Sequence, residues 1–227
     1  DFVSAIVAPH LQAIADSGVK LISNAGGVNP EACGRALRQV IEGAGLSLKV
    51  AVITGDDLMP KLDQVLDSEP AEMFSDERTP PREAIASANA YLGAFPIAEA
   101  LNKGADIVVT GRCVDSAVTL GACIHRFGWQ RDYVDLLAAG SLAGHLIECG
   151  PQATGGNYTD WHEVADTLHE VGYPIAEIFE DGSFTITKHP GTGGLVSVGT
   201  VTAQLLYEIG SPAYINPDVI GHFDTLK

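Results

Sequence analysis

Residues 105–118 read ADIVVTGRCVDSAV: a short apolar run, Ile107 to Thr110, that ends in a glycine-containing polar turn and leads into a segment able to form a helix. Four to eight apolar residues bounded by turn signals suit a strand buried on both faces. Two earlier stretches share this grammar. Val19 to Asn24 runs into AGGVNP, and Val50 to Thr54 runs into GDD. Strand, turn and helix units repeated in this way predict a parallel sheet, and ligands of such sheets collect at the carboxyl ends of the strands.

Helices fill the intervals. Apolar positions at Phe2, Ile6, Leu11 and Ile14 predict a first helix, interrupted near Pro9 and stopped by Ser17 and Gly18. Asn29 followed by Pro30 is a helix start, because the Asn side chain caps free amides and proline needs no partner for its missing N–H. That helix is expected to run to about Glu42. MPKLDQVLDS has helical spacing, and AIASANAYLGAFPIAEALNKG reads as mostly helical despite Pro96. SAVTLGACIHRFGW predicts a helix ending near Gly128. Another runs from Asp132 to Cys149, with Ala139, Gly140, Ala143 and Gly144 permitting close packing. Ser68 to Arg82, rich in proline and charge, is expected to be a long exposed loop.

Beyond Gly150 the pattern changes. IAEIFEDGSFTITK alternates about Asp181 and Gly182, a hairpin signal. LVSVGTVTAQLLYEI fits helix or strand by propensity, and an extended apolar segment begins within DVIGHFDTLK. The fold expected is α/β: a mainly parallel sheet flanked by helices in a Rossmann-like three-layer arrangement, with a C-terminal antiparallel hairpin. Residues 1–150 form the parallel-sheet region, and 151–227 a loop, hairpin and helix extension. The chain reads as a piece of a longer protein.

Composition bounds the function. The 227 residues carry 13 Lys and Arg against 29 Asp and Glu, a formal charge of −16 that repels nucleic acid and anionic membrane surfaces. A small anionic ligand then needs local donors. No apolar stretch reaches the length of a membrane span, and the reading is of a cytoplasmic protein. Cys33, Cys113, Cys123 and Cys149 form no CxxC pair and are expected to be reduced thiols.

The candidate site residues sit mainly at the predicted strand ends. In NAGGVNP, Asn24, Gly26, Gly27 and Asn29 place backbone amides near a helix start, where an anion is favoured. The spacing is not GxGxxG, and a tight turn accounts for the glycines equally well. Asp56 and Asp57 follow Gly55; one can hold a cation or a substrate hydroxyl while the other caps a helix. Arg112 matches a carboxylate or phosphate bidentately, or pairs with Asp115. In GSLAGHLIECG, Ser141, His145 and Glu148 share one helical stripe. A histidine beside a carboxylate acts as a general base near neutral pH, the carboxylate fixing its tautomer. The alternative is that this stripe is the wet face of the helix. Lys188 and His189 precede PGTGG, which resembles a phosphate loop in composition without its spacing. No histidine pair has metal-ligand spacing, so no metal residues are expected.

Read together, KLISNAGGVNPEACGRAL, KVAVITGDDL, SANAYLGAFPIAEALNKGADIVVTGRCVDSAV, LAGHLIECGPQATGGNYTD and KHPGTGGLVSVGTVTAQLLYEIGSPAYINPDV resemble the acyclic terpene utilisation protein A (AtuA) family. The resemblance spans nearly the whole chain. It implies a part in bacterial breakdown of acyclic terpenes such as citronellol and geraniol, alongside acyl-CoA carboxylation and hydration. It assigns no roles to residues. The enzyme reading is a hydratase or lyase of branched acyl-CoA breakdown, with His145 and Glu148 as acid and base and Asp56 and Asp115 as further catalytic candidates. Arg112 and Lys188 then hold the anionic substrate, and Asn24, Gly26, Gly27, Asn29, Asn157 and His189 complete the binding candidates. The alternative is a non-catalytic acyl-CoA-binding or scaffold subunit. Metal-assisted hydrolysis by Asp56, Asp57 and Asp115 is weaker, since no histidine shares their turns. The expected partner is a small anionic molecule, acyl-CoA among the candidates, with a second copy of the chain as a further one; the cofactor is left open.

Overall fold

The Asn29 side chain accepts a hydrogen bond from the Ala32 amide at 3.0 Å, and Pro30 occupies the first helical position, so the helix starts where the sequence reading places it. The computed structural model describes residues 2–72, 75 and 77–226. Its elements are α1 (Leu11–Ser17), β1 (Leu21–Ser23), α2 (Pro30–Gly43), β2 (Val50–Ile53), α3 (Leu62–Asp67), α4 (Phe95–Asn102) and β3 (Ile107–Thr110). Then follow α5 (Ala117–Phe127), α6 (Val134–Ile147), β4 (Pro174–Ile178), β5 (Phe184–Lys188), α7 (Val198–Leu205), β6 (Ala213–Ile215) and β7 (Ile220–His222). The chain divides into two compact units, one of residues 1–92 and 103–113, the other of 93–102 and 114–227.

In the first unit β1, β3 and β2 form a parallel sheet in that order, with Leu21 and Val50 both in register with Ile107. β3 is central because it is buried along its whole length. Ile107 and Val109 pack in one core with Leu37 and Ile41 of α2, Leu11 of α1, and Val3 and Val7. Phe2–Val7 is wound as a π-helix and Ala8–His10 as a 3₁₀ turn containing Pro9, so the expected first helix becomes regular only at Leu11. Gly18, at φ 66°, ends it.

The second unit is built on helix packing. A Cβ on Gly121 of α5 would stand 2.6 Å from Ile97 of α4, and one on Gly140 of α6 would stand 2.8 Å from Leu120 of α5. These small residues let the three helices approach closely, as the run of Ala and Gly predicts. Trp129 donates its indole N–H to the Glu180 carbonyl at 3.1 Å and ties the β4–β5 hairpin to this core. Gly182, at φ 84°, makes the hairpin turn. Ser197 and Thr200 form a capping box, which settles Val198–Leu205 as helix. Asp218 accepts the Ala94 amide at 2.6 Å at the start of α4, and Gly93 has no Cβ because that carboxylate fills the space.

Three differences from the sequence reading have physical reasons. The AIASANAYLGAFPIAEALNKG stretch is helical only over Phe95–Asn102. Pro96 lies in the first turn, where a helix tolerates it, and the residues before it are extended, with Asn89 bridging Asp57 and Leu92 bridging Cys113. Among the described residues the parallel sheet has three strands and four others pair as two antiparallel hairpins, so the fold is mixed α/β with less parallel sheet than the three-layer reading expects. In the second hairpin, β7 lies in the extended segment expected within DVIGHFDTLK, while its partner β6 is too short for a sequence signal. The Ser68 to Arg82 loop lies partly outside the described residues; its described part from 69 to 81 has no regular structure and is mostly exposed.

Candidate functional site

In the first unit the exit turns of the three parallel strands meet at one edge. Gly26 lies so close against the Thr110 carbonyl and Pro30 that no side chain fits there, and Gly27 takes a positive φ of 52°. Asn29 is spent on capping α2. Asp56, only 3% exposed, accepts the Arg112 amide at 2.9 Å and the Asn89 side-chain amide at 3.0 Å through Oδ2. Its carboxylate also lies against Gly111, which again leaves no room for a Cβ. Asp56 therefore cross-braces the second and third turns. Asp57 accepts the Met59 amide at 2.9 Å and starts the following 3₁₀ turn. Arg112 is exposed, its guanidinium 3.4 Å from the Tyr91 hydroxyl and 5.6 Å from that ring's centroid.

The other candidates belong to the second unit. His145 is 3% exposed and Ser141 1%, so their stripe of α6 is not a wet face. The imidazole Nε2 lies 3.0 Å from the Gln204 carbonyl and 3.2 Å from that of Leu205. Carbonyls only accept, so Nε2 carries the proton and donates it, and main chain of α7 fixes the tautomer where the sequence reading expected Glu148 to do so. Gln204 returns a bond from Nε2 to the His145 carbonyl at 2.9 Å. Burial holds the imidazole below its ordinary pKa, partly opposed by these carbonyls and by the charges of Glu208 and Asp115. The ring is therefore neutral near pH 7, with its lone pair on Nδ1. Tyr214 and Phe223 pack on it, with centroids 5.4 Å and 5.9 Å away.

Glu148 ends α6. Burial first, then the like charges of Asp115 and Glu208, raise its carboxyl pKa, against a hydrogen bond with Cys149 that lowers it. The Cys149 thiol is pushed up to about 12, chiefly by burial, and the Cys123 thiol to about 11 by burial. Neither is a reactive thiolate. None of the four cysteines forms a disulfide.

The KHPGTGG loop is not an open phosphate cradle. Its amides are used internally: Gly193 donates to the Glu170 carbonyl, Gly194 to the Thr167 hydroxyl and Leu195 to the Thr154 carbonyl. The Lys188 ammonium donates to the Thr192 carbonyl at 2.6 Å, and His189 is exposed. Asn157 is half-buried in the turn before Tyr158. Among the described residues no group of three or more His, Cys, Asp or Glu is gathered as a metal site. No described helix is long and apolar enough to cross a membrane.

Sequence reasoning brings out His145, Glu148 and Asp115 but misses Tyr214, Gln204, Glu208 and Ser116, which surround them. Only Gln204 leaves a signal, as an uncharged polar residue in an apolar run; the others are placed by tertiary contact alone. No curated protein and no solved structure matches the chain. The model of the acyclic terpene utilisation family protein AtuA matches residues 1–227. With the match covering its whole length, the chain belongs to the acyclic terpene utilisation family AtuA.

Proposed function

We propose that the second unit carries an acid–base site of hydratase or lyase type, acting on a branched acyl substrate during acyclic terpene utilisation. The observation that carries this reading is the pair of carbonyls on His145 Nε2. They commit the ring's one proton and leave Nδ1 as a base in a buried, neutral imidazole. Glu148, whose burial favours the protonated carboxyl, supplies the complementary acid three residues on. In water addition, the base takes a proton from water as oxygen attacks the alkene, and the acid delivers one to the adjacent carbon. Elimination runs the same transfers backwards.

The carboxylates of Asp115, Glu148 and Glu208 repel an anionic group at this place. The uncharged acyl end of the substrate therefore reacts here. The rings of Tyr214 and Phe223 cover the imidazole, so entry requires movement of the β6–β7 segment.

The test is turnover of β,β-dimethylacrylyl-CoA by the full chain, followed as loss of the enoyl thioester chromophore. His145→Gln and Glu148→Gln each lower the rate by about a hundredfold or more, the ordinary scale of a lost general acid or base. Turnover by His145→Gln within about threefold of the unaltered protein refutes the assignment. Binding of the thioester with no turnover in any variant favours the non-catalytic acyl-CoA-binding subunit instead.

A further inference from the structure

A cavity of about 230 Å³ lies in the second unit, lined mainly by Leu205, Leu206, Ile209, Pro212 and Phe223, with Asp224 as the charged residue of its lining. Two of these residues also touch His145. The Phe223 ring packs on the imidazole, 5.9 Å between centroids, and the Leu205 carbonyl lies 3.2 Å from Nε2. Cavity and imidazole therefore share the Phe223 ring as a wall. Several polar groups of the lining are spent within the chain. The Phe223 amide donates to the Pro212 carbonyl at 2.9 Å, the Leu206 amide to the Thr202 carbonyl at 3.1 Å, and the Ser211 hydroxyl accepts the Ala213 amide at 3.3 Å. What remains for a ligand is mainly aliphatic and aromatic surface.

Charge and size narrow the ligand. Among the described residues no lysine, arginine or histidine lines the cavity, and Asp224 repels an anion, so neither a phosphate nor a carboxylate finds a donor there. An apolar cavity of about 150 Å³ takes the six carbons of benzene, and at the same packing this one takes about nine. We propose that the cavity holds the hydrocarbon chain of the substrate, up to about nine carbons, and so sets the chain length that reacts at His145. The catalytic meaning of the cavity rests on the acid–base reading above; binding of the chain does not depend on turnover. Phe223 directly follows β7, so the movement of the β6–β7 segment that entry requires also shifts the wall between chain and imidazole. Leu206 is 67% exposed, a wall residue that the fold itself does not bury.

The probes are the neutral amides valeramide, heptanamide, nonanamide and undecanamide, each longer than the last by two methylenes, titrated into the full chain by ligand-observed NMR. Affinity rises about fourfold for each methylene, the equivalent of about 0.8 kcal/mol, as far as nonanamide and then levels off. Leu206→Glu puts a charge on the wall at a position the fold leaves exposed, and weakens nonanamide about tenfold or more. Leu206→Ala, which shortens the wall without a charge, weakens it about threefold. The proposal is overturned if affinity does not depend on chain length, if undecanamide gains as steeply as the shorter amides, or if both Leu206 variants bind nonanamide as the unaltered protein does. A dimer that Leu206→Glu dissociates also overturns it, since a second copy then covers the cavity. Failure of the acid–base reading has a different signature, namely turnover insensitive to His145→Gln with the chain-length dependence and its Leu206 requirement intact.

Discussion

Replacing Gly144 by alanine opposes two effects whose sizes follow from the structure. Alanine is favoured over glycine in a helix interior by about 1 kcal/mol. The added Cβ, however, would stand 2.7 Å from the Ser116 carbonyl oxygen, 2.8 Å from its Cα and 3.1 Å from its Cβ. Two of these atoms are backbone and have no rotamer to escape into, so the start of α5 must shift away from α6. Overpacking of this kind costs about 1–3 kcal/mol. The net expectation is a loss of up to about 2 kcal/mol. Gly140→Ala, one turn earlier on the same helix, gains the same propensity but meets Leu120 Cδ1 at 2.8 Å and Trp129 Cζ3 at 2.9 Å, both ends of side chains. Leu120 can turn aside, so the loss is smaller. Gly43→Ala, at the end of α2 with nothing within 4 Å of the new atom, is neutral or stabilising by up to about 1 kcal/mol. The assay is urea unfolding followed by far-UV circular dichroism and by tryptophan fluorescence, since both tryptophans, Trp129 and Trp161, lie in the second unit. If Gly144→Ala proves more stable than the unaltered protein by the full helix gain of about 1 kcal/mol, Ser116 is not pressed against α6.

Two further expectations concern charge. His145 has its pKa lowered by burial, so the fold favours the neutral ring; its contribution to stability is complete above the ordinary histidine value and is lost as pH falls from there through the lowered value. Urea midpoints measured down this range fall less steeply for His145→Gln, and identical slopes would show that the ring is not buried. Asp56→Ala leaves the Arg112 amide and the Asn89 side chain without their acceptor, a loss of about 3 kcal/mol or more given that hydrogen bonds to a charged acceptor contribute about 1.5–3 kcal/mol each. Asp56→Asn, which keeps a carbonyl acceptor, loses less; an alanine variant within about 0.5 kcal/mol of the unaltered protein would remove Asp56 from its bracing role.

The parts of the fold legible in the sequence are those fixed by local chemistry. Asn29-Pro30, Gly18, Gly128 and Asp181-Gly182 each act within a few residues, through a cap, a left-handed backbone or a tight turn, and each lies at an element boundary. Three apolar runs were enough to identify the parallel strands, because a buried strand must be apolar along its length. The helix before Ile107 was overextended because Pro96 gives no local clue to whether residues before it pair elsewhere; Asn89 and Leu92 are held by partners over twenty residues distant. Of the second hairpin the extended segment in DVIGHFDTLK was legible as β7, but its three-residue partner β6 is too short to leave a pattern. Of the site, His145 and Glu148 stood out because a helix projects residues three and four apart on one side. Their surroundings did not, since Ser116, Gln204 and Tyr214 reach them from other elements, and the tautomer of His145 is set by carbonyls that every residue possesses.

Hydrogen-bond accounting separates the two constellations more sharply than residue type does. At the sheet edge the strand-exit turns hold the groups that motif reading favours, glycines, paired aspartates and an arginine, yet much of that inventory is consumed in building the edge. Asn29 caps a helix, Asp57 starts a turn, Asp56 binds an amide and a side chain, and Gly26 is needed for close packing. Around His145 the inventory does not close. A neutral imidazole keeps Nδ1 after committing Nε2, and the Ser141 hydroxyl and Gln204 Oε1 are buried without partners. A chain selected for stability alone would replace such groups with apolar ones of similar shape, since that exchange is neutral or favourable. Such groups in the apolar interior of α5, α6 and α7 support the proposed acid–base reading of that unit.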